Sequence, residues 1–378
     1  MKLVLRLVTV HRVILFQHLK RNTESPQNNT QYHNMKGVLL INLGSPDSTE
    51  TKDVKRYLGE FLMDERVIDI AYWKRFLLIK GIILQVRPKK SGAAYKKIWW
   101  EEGSPLVVIS ERFSKKVSSK SAIPIELAMR YGSMSMEKGF KALIDQGVDE
   151  ILLVPLYPHY AMSSYETVTV KAEQIVAEHY PNVTMDILPT FYNQPEYIKA
   201  MSANIENHLE GFDYDHVLFS YHGIPERHIK KSDPTKNHCK LDGSCCERNS
   251  VAHHTCYRHQ CFETTKAIVK SLGLQEGTYS NSFQSRLLKD PWLKPYTDFE
   301  LEKFPKMGKK KVAVITPAFV SDCLETLEEI AMEGKEDFLE AGGTDYKHIP
   351  CMNDNDDWVD VMVNWINNWE HNKNSIFE

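Results

Sequence analysis

The chain has 378 residues, of which 42% are apolar and 26% charged, with a formal net charge of −3. That length suits two to three domains, and the near-neutral balance carries no basic footprint for nucleic acid. No run approaches the roughly 18 uncharged apolar residues of a membrane span.

Residues 1–34 stand apart, being basic and apolar up to Arg21 and then polar and rich in Asn. Arg6 and Arg12 interrupt the apolar run, so a spanning helix or an ordinary signal peptide fits poorly. Residues 1–35 read as an extension outside the fold, ahead of a start at Met35. An amphipathic surface helix or transit segment is the other reading. Strand-like runs follow at 37–43 (GVLLINL), 125–130, 150–155 (EILLVP), 184–188, 216–220 and 311–316 (KVAVIT), with helical periodicity at 135–146 and 168–179. Short strands alternating with helices predict parallel sheets covered on both faces, with ligands beyond the carboxyl ends of the strands. The halves also resemble each other: LLINLGSP (39–46) aligns with LFSYHGIP (218–225), and VPLYPHYAMSSYET (154–167) with TPAFVSDCLET (316–326). The expected architecture is α/β: two similar Rossmann-like, doubly wound domains at 36–188 and 189–350, a cleft between them, and a C-terminal helix and tail at 351–378.

His222 falls at the end of a buried strand, immediately before the turn of Gly223 and Pro225. A histidine there is ordinarily a hydrogen-bonded turn residue, but at a strand end it is also placed for chemistry. In SDCLETLEEI (321–330), Asp322 and Glu325 have the spacing of a capping box. Glu325 and Glu329 are four apart and share a helix face, where two acids call for solvent or a cation, while Glu328 lies to one side. Imidazole and carboxylates together suit proton transfer or the brief holding of a divalent metal. HExxH, P-loop, GxSxG and post-strand GxGxxG motifs are absent, which leaves zinc hydrolase, NTPase and dinucleotide readings weak.

LLINLGSPD (39–47), AYKKIWWEEGSPL (94–106), AMRYG (128–132), VPLYPHYAMSSYET (154–167), FSYHGIPERH (219–228), FQSRLLKDPWLKPYT (283–297) and SDCLETLEEI (321–330) stand in the order of the ferrochelatase family. The chain resembles that family from Lys36 to about Trp369. The resemblance implies a lyase that inserts Fe(2+) into a porphyrin with loss of two protons, late in haem synthesis. Protoporphyrin IX is the first candidate and coproporphyrin III the second. It implies His222 as proton acceptor and metal ligand, Glu325 facing it, and Glu329 with Asp322 on a metal or proton path. Leu43 stands where family members vary, and it cannot ligate a metal. Tyr131, Tyr157, Trp292 and Phe319 lie on matched motifs and would line an apolar porphyrin slot, or pack as ordinary core. Arg130, Lys96 and Lys97 would meet its propionates, the lysines being equally readable as a solvated face.

Five of the seven cysteines crowd into an insert near 232–258 and the residues just after it, as Cys239-x5-Cys245-Cys246-x9-Cys256-x4-Cys261, with His238, His253, His254 and His259 among them. Cys261 matches a cysteine of the short link found in relatives that lack the insert. The resemblance therefore implies a [2Fe–2S] cluster on Cys239, Cys245, Cys246 and Cys256. A Cys/His zinc site is the runner-up, and the adjacent pair Cys245–Cys246 suits one tetrahedral ion poorly. Clustered thiols suit a reducing cytoplasm, and an apolar product makes peripheral membrane contact reasonable. Oligomeric state is open. The alternatives are a tetrapyrrole or metal carrier without turnover, and an iron–sulfur electron-transfer or sensor protein.

Overall fold

A computed structural model describes residues 35–286, 290–373 and 375–377, so the 1–34 extension lies outside the described residues. Strands β1 (Lys36–Asn42), β2 (Ile125–Met129), β3 (Glu150–Pro155) and β4 (Thr184–Ile187) form one sheet in the order β2-β1-β3-β4. Strands β5 (His216–His222), β6 (Tyr279–Gln284), β7 (Lys311–Ile315) and β8 (Asp345–Ile349) form the other, as β6-β5-β7-β8. Every strand pair is parallel. β5 thus takes in the second sheet the place β1 takes in the first, and β7 the place of β3. The two motif alignments within the sequence therefore follow the topology.

β1, β3, β5 and β7 are nearly continuous apolar runs because helices cover both faces of these inner strands. β6 and β8 were not anticipated. Their sequences, YSNSFQ and DYKHI, lie at the two edges of the second sheet, where burial is partial and the apolar signal weak. β5 runs two residues further than its apolar run predicts, and His222 is its last residue.

One apolar cluster serves both sheets. It takes in Val38 and Leu152 from the first and Phe219 and Ala313 from the second. The helix Asp356–Glu370 joins it through Trp358, which stacks on Phe113 at 5.7 Å and meets Phe191 at 5.6 Å.

Two glycines let the chain leave the inner strands sharply. Gly44 has φ +103°, and a Cβ there would sit 2.0 Å from the Tyr131 carbonyl oxygen. Gly223 has ordinary φ, but a Cβ would lie 2.7 Å from the Ser285 carbonyl oxygen and 3.4 Å from the Trp292 ring. Both positions need glycine because the neighbouring strand end occupies the space of a side chain.

Candidate active site

His222 is half-buried at the carboxyl end of β5, with its ring edge-on to Phe319 at 6.3 Å between centroids. Its carbonyl accepts a hydrogen bond from the Tyr257 hydroxyl at 2.9 Å, and the Gly223 amide donates to the Gln284 carbonyl at 2.6 Å. The turn is therefore fixed from two sides while the imidazole stays accessible.

Beyond β7 the chain forms a π-helix, Glu325–Glu333, whose i→i+5 bonding is uncommon and frequent at functional sites. Glu329 lies within electrostatic reach of both His222 and Glu325. Burial pushes its carboxyl up. The Ser285 hydroxyl and amide, which both donate to the carboxylate, and the imidazole pull it down, and the Glu325 charge adds to the rise. Ser285 can reach it because it adopts φ +60°, a left-handed conformation unusual for serine. Nothing in the sequence signalled that contact. Ser285→Ala should raise the Glu329 carboxyl further, a shift that a pH titration of the Glu329 side-chain carbon resonance would read.

The capping box suggested by spacing is not what Asp322 makes. Asp322 is 4% exposed. It accepts from Thr326 Oγ1 at 2.8 Å, Asn353 Nδ2 at 2.7 Å and the Cys351 amide at 3.3 Å, which ties the start of the π-helix to the loop after β8. Glu325 is half-buried, close to the Cys323 thiol and to Tyr57 and Tyr95 of the first half.

Leu43, Tyr157, Phe319 and Trp292 are half-buried at or beyond strand ends. Trp292 bridges to Pro225 in the His222 turn. Arg130 and Tyr131 lie behind them. Asp64 accepts from Arg130 Nη2 at 2.6 Å, from Tyr131 Oη at 3.0 Å and from Thr167 Oγ1 at 2.5 Å. Lys96 and Lys97 are exposed, and Lys97 Nζ is 2.5 Å from Glu328, reaching from the helix Leu84–Ile98 to the π-helix. A second link between the halves is Asp69, 3% exposed, which meets Arg227, His228 and Lys231 of the helix Glu226–Ser232.

The cysteine insert is stitched at its base. Asp233 accepts from the amides of Thr235, His238 and Cys239, and Thr255 Oγ1 donates to the Ser232 carbonyl at 2.6 Å. Cys239 is half-exposed; Cys245, Cys246 and Cys256 are buried. The four thiols meet in pairs, Cys256 with Cys239 and Cys246, and Cys245 with the same two. Hydrogen bonding from Cys256 holds the Cys239 thiol down to about 6 and Cys246 to about 7, while Cys256 is raised by donating to both. Arg258 Nη1 lies 3.7 Å from the Cys246 sulfur. His238 and His253 bond the Cys245 carbonyl and His259 the Cys246 carbonyl. Among the described residues no group of three or more His, Cys, Asp or Glu side chains is placed to hold a metal ion. Cys261, fully buried, lies beside Tyr257 and stands outside the four.

The ferrochelatase family model matches residues 35–369. The chain belongs to the ferrochelatase family. It is 47% identical over 328 residues to a ferrochelatase of Stutzerimonas stutzeri, covering 86% of this chain and 96% of that one. It is 46% identical over 337 residues to a ferrochelatase of Opitutus terrae, covering 88% and 97%. The sirohydrochlorin chelatase SirB of Bacillus subtilis subspecies spizizenii, solved with cobalt, shares the fold with a TM-score of 0.50 and 10% identity, covering 89% and 96%. This family member is accordingly a lyase of haem synthesis that inserts metal into a porphyrin, with ferrous iron and porphyrin as its substrates. Among the described residues no helix is long and apolar enough to cross a membrane.

Proposed function

We propose that His222 accepts the pyrrole protons and that Glu325 faces it across the cleft, the two together receiving Fe(2+). The observation that carries this reading is the shared electrostatic neighbourhood of His222, Glu325 and Glu329 at the carboxyl ends of β5 and β7. Four pyrrole nitrogens give up two protons in all while iron sheds its waters. Imidazole and carboxylate take the first and bind the second without the grip of thiolates. Glu329, whose carboxyl is raised by burial, continues the proton and metal path, and Asp322 anchors the helix that carries it. Leu43, Tyr157, Phe319 and Trp292 line the slot, with Arg130 and Tyr131 stiffening its wall through Asp64. Arg130, Lys96 and Lys97 are the proposed propionate cations, Arg130 by leaving Asp64 and Thr167 and Lys97 by leaving Glu328. Residues 36–188 and 189–350 are the two proposed domains, with the ring held between their strand ends. A carrier without turnover would need an anchoring ligand but no proton acceptor beside a carboxylate path.

Protoporphyrin IX is the proposed substrate ahead of coproporphyrin III. Anaerobic turnover of purified protein with Fe(II) and each porphyrin decides it: faster haem formation from protoporphyrin is expected, and faster consumption of coproporphyrin would reverse the assignment. The proposed group on Cys239, Cys245, Cys246 and Cys256 is a [2Fe–2S] cluster, which takes four thiolates, ahead of a Cys/His zinc site, since the adjacent pair Cys245–Cys246 suits one tetrahedral ion poorly. Iron and acid-labile sulfide in equal amounts, about two of each per chain, should accompany it.

The proposed location is the cytoplasm, with peripheral membrane contact through residues 72–86. There Tyr72, Trp73, Leu77, Ile82 and Val86 are all exposed, beside Lys74 and Lys80. Aromatic and aliphatic side chains next to cations are the pattern of an interfacial segment. Protein should co-sediment with vesicles containing anionic lipid, and Trp73→Ala with Leu77→Ala should weaken that several-fold without changing haem formation in detergent.

A further inference from the structure

The insert and the His222 turn are joined by one residue. Cys256 caps the helix Tyr257–Leu272, and Tyr257, next in the chain, is buried and donates its hydroxyl to the His222 carbonyl at 2.9 Å. The following turns of the same helix extend the connection. Gln260 Nε2 donates to the carbonyls of His253 and His254 in the insert at 3.1 and 3.0 Å, and its Oε1 accepts from the Tyr160 amide at 2.7 Å. Thr264 Oγ1 donates to the Tyr192 carbonyl at 2.7 Å and lies 2.8 Å from His159 Nε2. The His159 ring is edge-on to both Tyr221 and Tyr257, at 5.6 and 5.8 Å. Gln260, Thr264, His159, Tyr221 and Tyr257 are buried, while His253 is half-buried and His254 exposed; within the buried part the polar network is stiff and loss of one member is felt by the others.

We propose that Tyr257 is a positioning residue for the catalytic imidazole and that it couples the state of the four-thiol site to the His222 turn. Tyr257 is 5% exposed, so its hydroxyl reaches the His222 carbonyl from the buried side. Cys256 is joined to Tyr257 by a peptide bond, so a change at its sulfur that draws the Cys256 backbone with it is passed to the first residue of the helix. A displacement well below an ångström at the strand end is enough to move a proton acceptor off its line. The proposal rests on the reading of His222 as proton acceptor, and its test separates the two.

The experiment is a double-mutant cycle in the full chain, with Tyr257→Phe, Cys239→Ser and the pair. Phe keeps the ring in its slot, and Cys239 is the half-exposed thiol, so both variants should fold. Three quantities are read: kcat and KM for porphyrin, hydrogen exchange of the His222 and Gly223 amides, and the His222 imidazole carbon–proton resonance at one fixed pH. Tyr257→Phe is expected to lower kcat about 3- to 30-fold with KM within about twofold, to speed amide exchange and to shift the His222 resonance. Cys239→Ser should move the same resonance in the same direction, and the double variant should be no worse than the poorer single one. Additive losses, or a His222 resonance indifferent to both substitutions, would overturn the coupling. A resonance that moves while kcat does not would leave the coupling standing and overturn the role of His222 as proton acceptor. If either variant loses cooperative unfolding, Gln260→Leu, which cuts the insert's second tie and leaves Tyr257 intact, takes its place in the cycle under the same criteria.

Discussion

His222→Ala should lower kcat for porphyrin metalation by about 10²- to 10⁴-fold, the usual worth of a positioned proton acceptor, with porphyrin affinity nearly unchanged. The fold has little reason to notice. The side chain is half-buried at the end of its strand, the residue's carbonyl remains held by Tyr257, and the Gly223 amide remains held by Gln284. The check is anaerobic haem formation beside a porphyrin fluorescence titration of the same preparation. A variant that binds porphyrin as the parent does but forms no haem separates catalysis from binding. A variant that turns over normally would remove His222 from the mechanism.

Asp69→Ala should cost about 3–5 kcal/mol of unfolding free energy, because it strips a buried carboxylate from three basic partners. Arg227 and Lys231 are partly exposed and can turn to water, and burial holds the His228 ring below the usual imidazole range and so neutral, which leaves no stranded charge behind. That places the expected value near the lower end. The contribution also has a pH signature. Burial raises the Asp69 carboxyl, but the hydrogen bonds and charges of Lys231 and Arg227 outweigh it and hold the group down to about 2. A depressed folded-state value stabilises the protein fully above the unfolded carboxylate's value near 3.9 and is lost as pH falls towards about 2. Urea unfolding of parent and variant should therefore differ by a constant amount from pH 7 to about 5 and converge below about pH 4. An unchanged gap at acid pH would mean that packing, not charge, explains the loss.

The inner strands were legible because burial on both faces leaves only apolar residues, and their order in the chain fixed the alternation with helices. The ends were less so. β6 and β8 sit at sheet edges and carry Ser, Asn, Asp and Lys, which a reading by apolar runs passes over. His222 could be placed at a strand end because a Gly-x-Pro turn follows it. The neighbours that set the behaviour of the site could not be placed. Ser285 reaches Glu329 only by a left-handed backbone, Asp322 spends its oxygens on residues near and far, and Tyr257 finds a carbonyl 35 positions away. A π-helix has no periodicity distinct enough to be read over nine residues. The resemblance to a family supplied the roles of these positions, and spacing alone did not.

The hydrogen bond from Thr255 to Ser232 has a consequence for how such a chain can change length. The two ends of the cysteine insert already touch, and they touch inside a crossover connection between β5 and β6, away from the register of either strand. A loop closed at its own neck adds little to the entropy of ordering the crossover, since each doubling of loop length costs only about 0.6 kcal/mol. The segment is an appended module whose removal need not disturb strand order or handedness, and it touches the shared core only at its edge, through Cys239 and Leu241. A chain shortened from Asp233 to His254 should still reach its native topology, and what it would lose is communication, not architecture.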